Sequence, residues 1–136
     1  MKWIRIFFLC AVLGSFSSAS AQVYKFKATS FSVMEKAANG KWGDWTPFEE
    51  STVVITLDGK KDRVVIASHE IQLYRILSYG EKISNQFEDI IPLECVDNDG
   101  GACSIQIITR KNQDNRMQFY INYEDVKFVY NIYTTQ

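Results

Sequence analysis

The chain has 136 residues, of which 23% are charged and 46% hydrophobic, and its formal net charge at pH 7 is −1. It lacks the concentrated basic face that nucleic-acid binders use, so a nucleic acid is not an expected partner. A chain of this length predicts one domain that buries its own core without a metal or many disulfides.

The first segment in chain order is typical of a signal peptide. Residues 1–21 have a basic head with Lys2 and Arg5, an apolar middle, and the small residues Ala19-Ser20-Ala21 at the end. The apolar run is well short of the roughly 18 residues that span a bilayer. We therefore predict cleavage after residue 21, a mature β-domain at 22–136 with no transmembrane segment, and a secreted or periplasmic location.

Cleavage changes both the charge and the cysteine count. It removes two bases and no acid, which leaves thirteen bases against 16 acids and a net charge near −3. It also removes Cys10, so two cysteines enter an oxidising compartment. Cys95 and Cys103 flank the turn-rich segment 96–102, and we predict a disulfide between them in preference to two free thiols. There is no Cys-x-x-Cys pair to support redox catalysis.

Eight segments of the mature chain alternate between apolar and polar residues, which is the period of half-buried strands. In the seventh segment, the apolar set is Met117, Phe119, Ile121 and Tyr123. The predicted strands span 23–34, 48–58, 62–68, 70–79, 86–95, 103–111, 116–123 and 125–134.

Short turns between these strands favour an antiparallel meander. Asp58-Gly59 and Asp99-Gly100 indicate hairpins, because Asp and Gly accept the positive φ of such turns. Eight meandering strands have two exposed edges unless the sheet closes. The predicted fold is all-β, a small closed or partly open β-barrel, with an open or sandwiched sheet as the alternative. Pro92 lies inside a predicted strand, where we expect a bulge or an edge.

No motif identifies a catalytic or metal-binding site, and we predict no metal and no cofactor. His69 is interpreted as a turn or strand-end residue, because its neighbours Ser68 and Glu70 would point away from it in a strand. Asp97-x-Asp99-Gly100 departs from the calcium-loop pattern and is interpreted as a turn. Acidic pairs such as Glu88-Asp89 leave open a facing carboxylate pair from different strands.

The tryptophans Trp42 and Trp45 are the candidate ligand-binding residues. In a turn-rich segment, they can form a flat exposed platform for a sugar or an apolar ligand. The alternative is that the rings fill one end of the core. We expect Trp42, which follows the Gly40 turn, to pack inward, and Trp45, beside Asp44, to be more exposed.

Two resemblances accompany these features. Gly40-Lys41-Trp42 resembles the Gly-x-Trp signature of lipocalins, which implies a hollow barrel that carries a small apolar ligand. A longer resemblance is to small secreted β-proteins of Bacteroidetes-type bacteria. It rests on the following elements: the tryptophan block, Glu49-Glu50 before Val53-Val54-Ile55, Asp62-Arg63-Val64, the segment 95–100 and Tyr123-Glu124-Asp125-Val126. The second resemblance implies no activity and no functional residue.

These observations predict a secreted binding or interaction module without catalysis, whose partner is a small ligand, a glycan or a protein. The alternatives are a lipocalin-like carrier of a small apolar ligand, a hydrolase with a facing carboxylate pair, and an integral outer-membrane barrel, whose strands also alternate. Whether the barrel interior is hollow or packed is the observation that best separates them.

Overall fold

The computed structural model describes residues 22–135, so the predicted signal peptide at 1–21 lies outside the described residues. None of residues 22–135 belongs to a helix long and apolar enough to cross a membrane. The described part is built from nine strands: β1 Val23–Glu35, β2 Glu49–Asp58, β3 Arg63–Ala67, β4 Ile71–Tyr79, β5 Ile83–Ser84, β6 Glu88–Asp97, β7 Ala102–Arg110, β8 Arg116–Asn122 and β9 Val126–Thr135.

Eight of these strands form a closed antiparallel barrel, as the alternation and the short turns predicted. Neighbours in sequence pair with each other, and β4 pairs with β6. The barrel closes where β1 pairs with β9, from Lys25 opposite Thr135 to Glu35 opposite Val126. Closure gives each long strand two partners and so removes the exposed edges of an open meander.

The eight predicted strands are all present, and each begins and ends within two residues of its predicted limits. The ninth strand, β5, was not predicted, because its two residues are too few to show a period. It lies in the connection from β4 to β6 and pairs only with β6, outside the closed circle.

Pro92 lies where β6 changes partners. On one side of β6, the pairing with β4 ends at Leu93 and the pairing with β5 begins at Ile90. Pro92 stands between them, where its missing N–H leaves no gap in the ladder, and its carbonyl accepts a hydrogen bond from the Gly80 amide at 2.9 Å. The expected irregularity is thus an interruption of the pairing, while the bulge lies in the facing strand β4.

The middle of the barrel is packed with apolar side chains. Alternate residues of each strand point inward, and those of the central layers are almost completely buried: Ile55, Val64, Ile66, Leu93, Ile105, Phe119 and Ile121. β-Branched side chains suit this surface because they fit a pleated, buried sheet. Since the centre is filled, an internal ligand site can only lie at an end of the barrel.

The predicted disulfide is not formed, because Cys95 and Cys103 are both free thiols. They lie directly opposite each other in the β6–β7 ladder. Burial raises the pKa of the Cys95 thiol to about 12 and that of Cys103 to about 11, because a thiolate there would lose its hydration. The sequence prediction was right about the facing positions across a hairpin and wrong about the bond.

Candidate functional site

One end of the barrel opens into a cavity of about 570 Å³, which we call the mouth. Its walls come from β4, from the end of β8 and from β9, and its rim includes the turns that follow β3 and β6. Pockets of this volume hold small molecules. The lining of the mouth includes aromatic and acidic side chains: Tyr74, Tyr123, Phe128, Tyr130, Asp97 and Glu70.

Four aromatic rings line the mouth; the strand period places three of them there, and Tyr123 directly follows the end of β8. Phe128 and Tyr130 share the inward face of β9 with the buried Ile132. Tyr74 is only 4% exposed and forms the floor. The rings of Tyr123 and Phe128 meet edge to face with their centroids 6.4 Å apart, an arrangement that aromatic pairs favour. The cavity therefore has a fixed aromatic wall.

Asp97 holds the β6–β7 turn at the rim of the mouth. Its carboxylate accepts hydrogen bonds from the Tyr123 hydroxyl at 2.8 Å and from the amides of Asp99 and Gly101 at 3.0 and 2.7 Å. These bonds favour the charged form and lower the pKa of Asp97, the Tyr123 bond being the largest cause. The segment interpreted from sequence as a turn is thus a turn held by its own aspartate.

The tyrosine hydroxyls of the mouth stay protonated at neutral pH. Burial raises the pKa of Tyr74 to about 12 and also raises the pKa of Tyr130. The pKa of Tyr123 is raised by burial and by its bond to Asp97. The Tyr74 hydroxyl donates to Gln72 at 3.0 Å. Burial is the cause of the raised pKa of Tyr130, and no hydrogen bond from residues 22–135 contributes to it.

A second cavity, of about 590 Å³, lies at the same end and shares Tyr130 with the mouth. His69 lines it from the turn between β3 and β4. In that turn the Ser68 hydroxyl donates to the carbonyl oxygen of Glu70 at 2.9 Å. Ser68, His69 and Glu70 therefore form a turn, as predicted, with the Ser68 hydroxyl engaged by the backbone.

Trp42 and Trp45 lie outside the mouth, in residues 36–48, which we call the outer Trp segment. Trp42 is 36% exposed and Trp45 is 38% exposed, so the expected difference in burial between them is wrong. The ammonium groups of Lys36 and Lys127 lie 5.4 and 4.6 Å from the centre of the Trp42 ring, as cation–π partners.

The outer Trp segment is fastened to the outside of the barrel wall. The Thr46 hydroxyl accepts a hydrogen bond from the Val33 amide, and the Thr46 amide donates to the Val33 carbonyl, both at 2.9 Å. Trp45 meets Tyr120 edge to face at 6.1 Å. Ser32, on the outward face of β1, is completely buried beneath this cover and donates to the Thr46 carbonyl. The tryptophans thus cover a wall and line neither the mouth nor the second cavity.

The acidic pair of β6 is engaged by basic side chains. Glu88 accepts a hydrogen bond from Arg110 at 2.7 Å, and Asp89 lies 3.1 Å from the Lys111 ammonium group. Within residues 22–135 no group of three His, Cys, Asp or Glu side chains is placed to hold a metal ion. These carboxylates are therefore counter-ions of neighbouring strands at the end of β6 remote from the mouth.

Sequence reasoning did not identify the mouth. Tyr123 and Tyr130 stood in alternating runs, where an inward tyrosine cannot be distinguished from a core residue. The signal that separates them is their place near the strand ends at one end of a barrel, where no further layer of side chains covers them. A hydroxyl on an inward ring at such a position indicates access to water.

Comparisons of this chain with protein-family models, with curated proteins and with solved structures found no match.

Proposed function

We propose that the protein is an exported, non-catalytic binding protein that takes a small, largely apolar ligand into the mouth. One observation carries the proposal: four aromatic rings, three of them tyrosines, line a cavity of about 570 Å³ at the end of a packed barrel. Small-ligand sites combine such apolar walls with a few polar groups that fix orientation. Export rests on the signal-peptide pattern of residues 1–21.

The mouth is built on strands, which favours binding. Phe128 and Tyr130 belong to β9, which pairs with β1 on one side and β8 on the other. Tyr74 belongs to β4, which pairs with β3 and β6. A ligand that enters a site held in this way orders few side chains, so little of the interaction energy is lost to entropy.

The bonding of Asp97 at the rim of the mouth supports binding over hydrolysis at this carboxylate. A general base needs a carboxylate or imidazole that can take up a proton near neutral pH. Asp97 is fully engaged by the Tyr123 hydroxyl and two backbone amides, and its pKa is lowered by these bonds. Such a carboxylate holds a turn and is a poor proton acceptor.

The outer Trp segment supports a ligand site less well. A sugar that stacks on a tryptophan needs a free ring face, whereas Lys36 and Lys127 already approach the ring of Trp42. Trp45 is occupied by its contact with Tyr120. Both rings have their principal partners within the protein.

The proposal is tested with the neutral apolar dye N-phenyl-1-naphthylamine, whose fluorescence rises on transfer to an apolar site. We expect the mature protein to bind the dye saturably. Tyr130→Trp alters the shape of one wall of the mouth and should change the dye affinity by at least about threefold. The matched control is Tyr133→Trp on the same strand, because Tyr133 is 48% exposed on the outer face.

Thermal unfolding of both variants checks that each remains folded. Equal dye affinity in wild type, Tyr130→Trp and Tyr133→Trp would place the dye elsewhere. Absence of saturable binding to the folded wild type would overturn the proposal.

A further inference from the structure

The charged residues that line the mouth have one sign. Three of the lining residues are acidic, Glu70, Asp97 and Asp99, and none of the lining residues among 22–135 is Lys, Arg or His. The faces of the four aromatic rings carry negative electrostatic potential as well. A concave site lined by one sign of charge concentrates ligands of the opposite sign.

We infer that the ligand of the mouth is a small organic cation, an amine or quaternary ammonium group with an apolar body. The inference rests on the proposed function and names its ligand class. An ammonium centre next to the rings of Tyr123, Phe128 and Tyr130 would gain cation–π attraction while its alkyl groups remain in apolar contact. The Tyr130 hydroxyl oxygen can accept a hydrogen bond from an ammonium N–H.

The position of the basic residues supports this inference. Lys127 lies between Val126 and Phe128 on β9, but the strand period turns its side chain to the outer wall, where it contacts Trp42. The inward neighbours Val126 and Phe128 line the mouth. The same strand therefore presents a cation to the outside and only apolar or aromatic groups to the cavity.

An anionic ligand would be repelled by the mouth. Its charge would face three carboxylates with no basic side chain in the lining to compensate. The Asp97 carboxylate remains ionised because the Tyr123 hydroxyl and the turn amides stabilise its charge and lower its pKa. A neutral ligand would contact the aromatic walls but would gain nothing from the negative potential of the three carboxylates.

Three probes of one shape separate these ligand classes: choline, its neutral carbon isostere 3,3-dimethylbutanol, and the anion 3,3-dimethylbutanoate. Binding to the mature protein is followed by titration calorimetry and by displacement of the neutral dye at low ionic strength. We expect choline to bind roughly tenfold more tightly than the alcohol, and the anion to bind most weakly.

Two variants separate the contributions of the aromatic rings and of the acidic residues to the preference for choline over the alcohol. Tyr130→Leu keeps an apolar wall but removes a ring, and should lower the choline-to-alcohol ratio severalfold. Glu70→Gln combined with Asp99→Asn removes two rim charges and should lower the ratio in low salt only. The matched charge control is Glu81→Gln with Asp114→Asn, two acids that do not line the mouth, and it should leave the ratio unchanged.

The outcomes separate this inference from the proposed function. If the dye binds but choline and the alcohol have equal affinity, the mouth is a general apolar site and the inference is wrong. If the anion binds best, the inference is also wrong. If the dye does not bind the folded wild type saturably, the proposed function itself is overturned, whatever the three probes do.

Discussion

The protein has two aromatic regions that differ in shape and in the charges around them. The mouth is concave, is formed by inward residues of paired strands and has acidic neighbours. The outer Trp segment lies on the convex outer wall, is fastened through Thr46 and has Lys36 and Lys127 beside Trp42. The two regions meet across β9, where Lys127 and Phe128 face opposite sides.

This contrast shows that aromatic content alone does not locate a ligand site. Tryptophans in a turn-rich loop are conspicuous in the sequence, yet here they belong to a segment that covers the outer wall, where Thr46 contacts the buried Ser32. The tyrosines are inconspicuous because the strand period hides them among core residues. What distinguishes the mouth is that its rings surround space that no other side chain fills.

The largest expected effect lies in the packed interior beside the mouth. Phe119 is completely buried and is paired directly with Tyr130 across β8 and β9. Phe119→Ala should lower the free energy of unfolding by about 3–5 kcal/mol, through lost burial and a residual cavity. Tyr133→Ala on the outer wall should cost about 0.5 kcal/mol. Urea unfolding measures both values, and a small loss for Phe119→Ala would indicate a loosely filled barrel.

A smaller effect is expected in the outer Trp segment. Trp42→Ala and Trp45→Ala should each lower the free energy of unfolding by about 1–2 kcal/mol, since each ring keeps some contact with water and loses only part of its burial. Neither change should alter the affinity of the mouth for N-phenyl-1-naphthylamine. A cost as large as that of Phe119→Ala would mean that the ring fills the core, and loss of dye binding would identify the platform predicted from sequence.

A further small loss of stability is expected when the hydrogen bond at the rim of the mouth is removed. Tyr123→Phe removes the hydroxyl that donates to Asp97 and should lower the free energy of unfolding by about 1 kcal/mol at neutral pH. The depressed pKa of folded Asp97 contributes stability above the unfolded value of about 3.9, and this contribution is lost as pH falls through the folded pKa.

Urea unfolding at neutral and acidic pH tests this linkage. Wild type should lose more stability than Tyr123→Phe as the pH falls from about 5 to about 2, because the variant has less of this contribution to lose. Identical pH profiles would show that the Tyr123 hydroxyl does not stabilise the Asp97 charge.

Strand positions could be predicted because an eight-stranded closed barrel has one buried face on each strand. The alternation of residues such as Phe119 and Ile121 therefore marks both the strand and its inward face. Strand β5 escaped prediction because Ile83–Ser84 is shorter than one full alternation. The interruption at Pro92 was predictable in kind, since proline has no N–H to donate, but its partners were not.

The candidate site could not be predicted in the same way, because it depends on which inward residues remain uncovered. Tyr74 and Tyr130 come from strands far apart in sequence and meet only when the barrel closes. The Cys95 and Cys103 positions were predictable, since a hairpin places its flanking residues opposite each other. The state of the two sulfurs was not, because local geometry permits both thiols and a bond.

The two thiols should change the free energy of unfolding least of all at neutral pH, and measurably at alkaline pH. Their folded pKa values, about 12 for Cys95 and about 11 for Cys103, exceed the unfolded value of about 8.5. Stability from a raised pKa is complete below the unfolded value and is lost as pH rises towards the folded one. In the presence of a phosphine reductant, the free energy of unfolding should therefore fall between about pH 8 and pH 10, and less steeply in a Cys95→Ala, Cys103→Ala double variant.

Alkylation measures the same property directly and decides the state of the sulfurs. Iodoacetamide reacts with thiolate, so the buried, protonated thiols of the folded protein should react slowly at about pH 8. Unfolding in urea without reductant should expose both, and mass measurement should then show two labels, consistent with the free Cys95 and Cys103 of the structure. If urea-unfolded protein takes up label only after reduction, the two cysteines are joined, and the bond predicted from the sequence replaces the thiols in the mature protein.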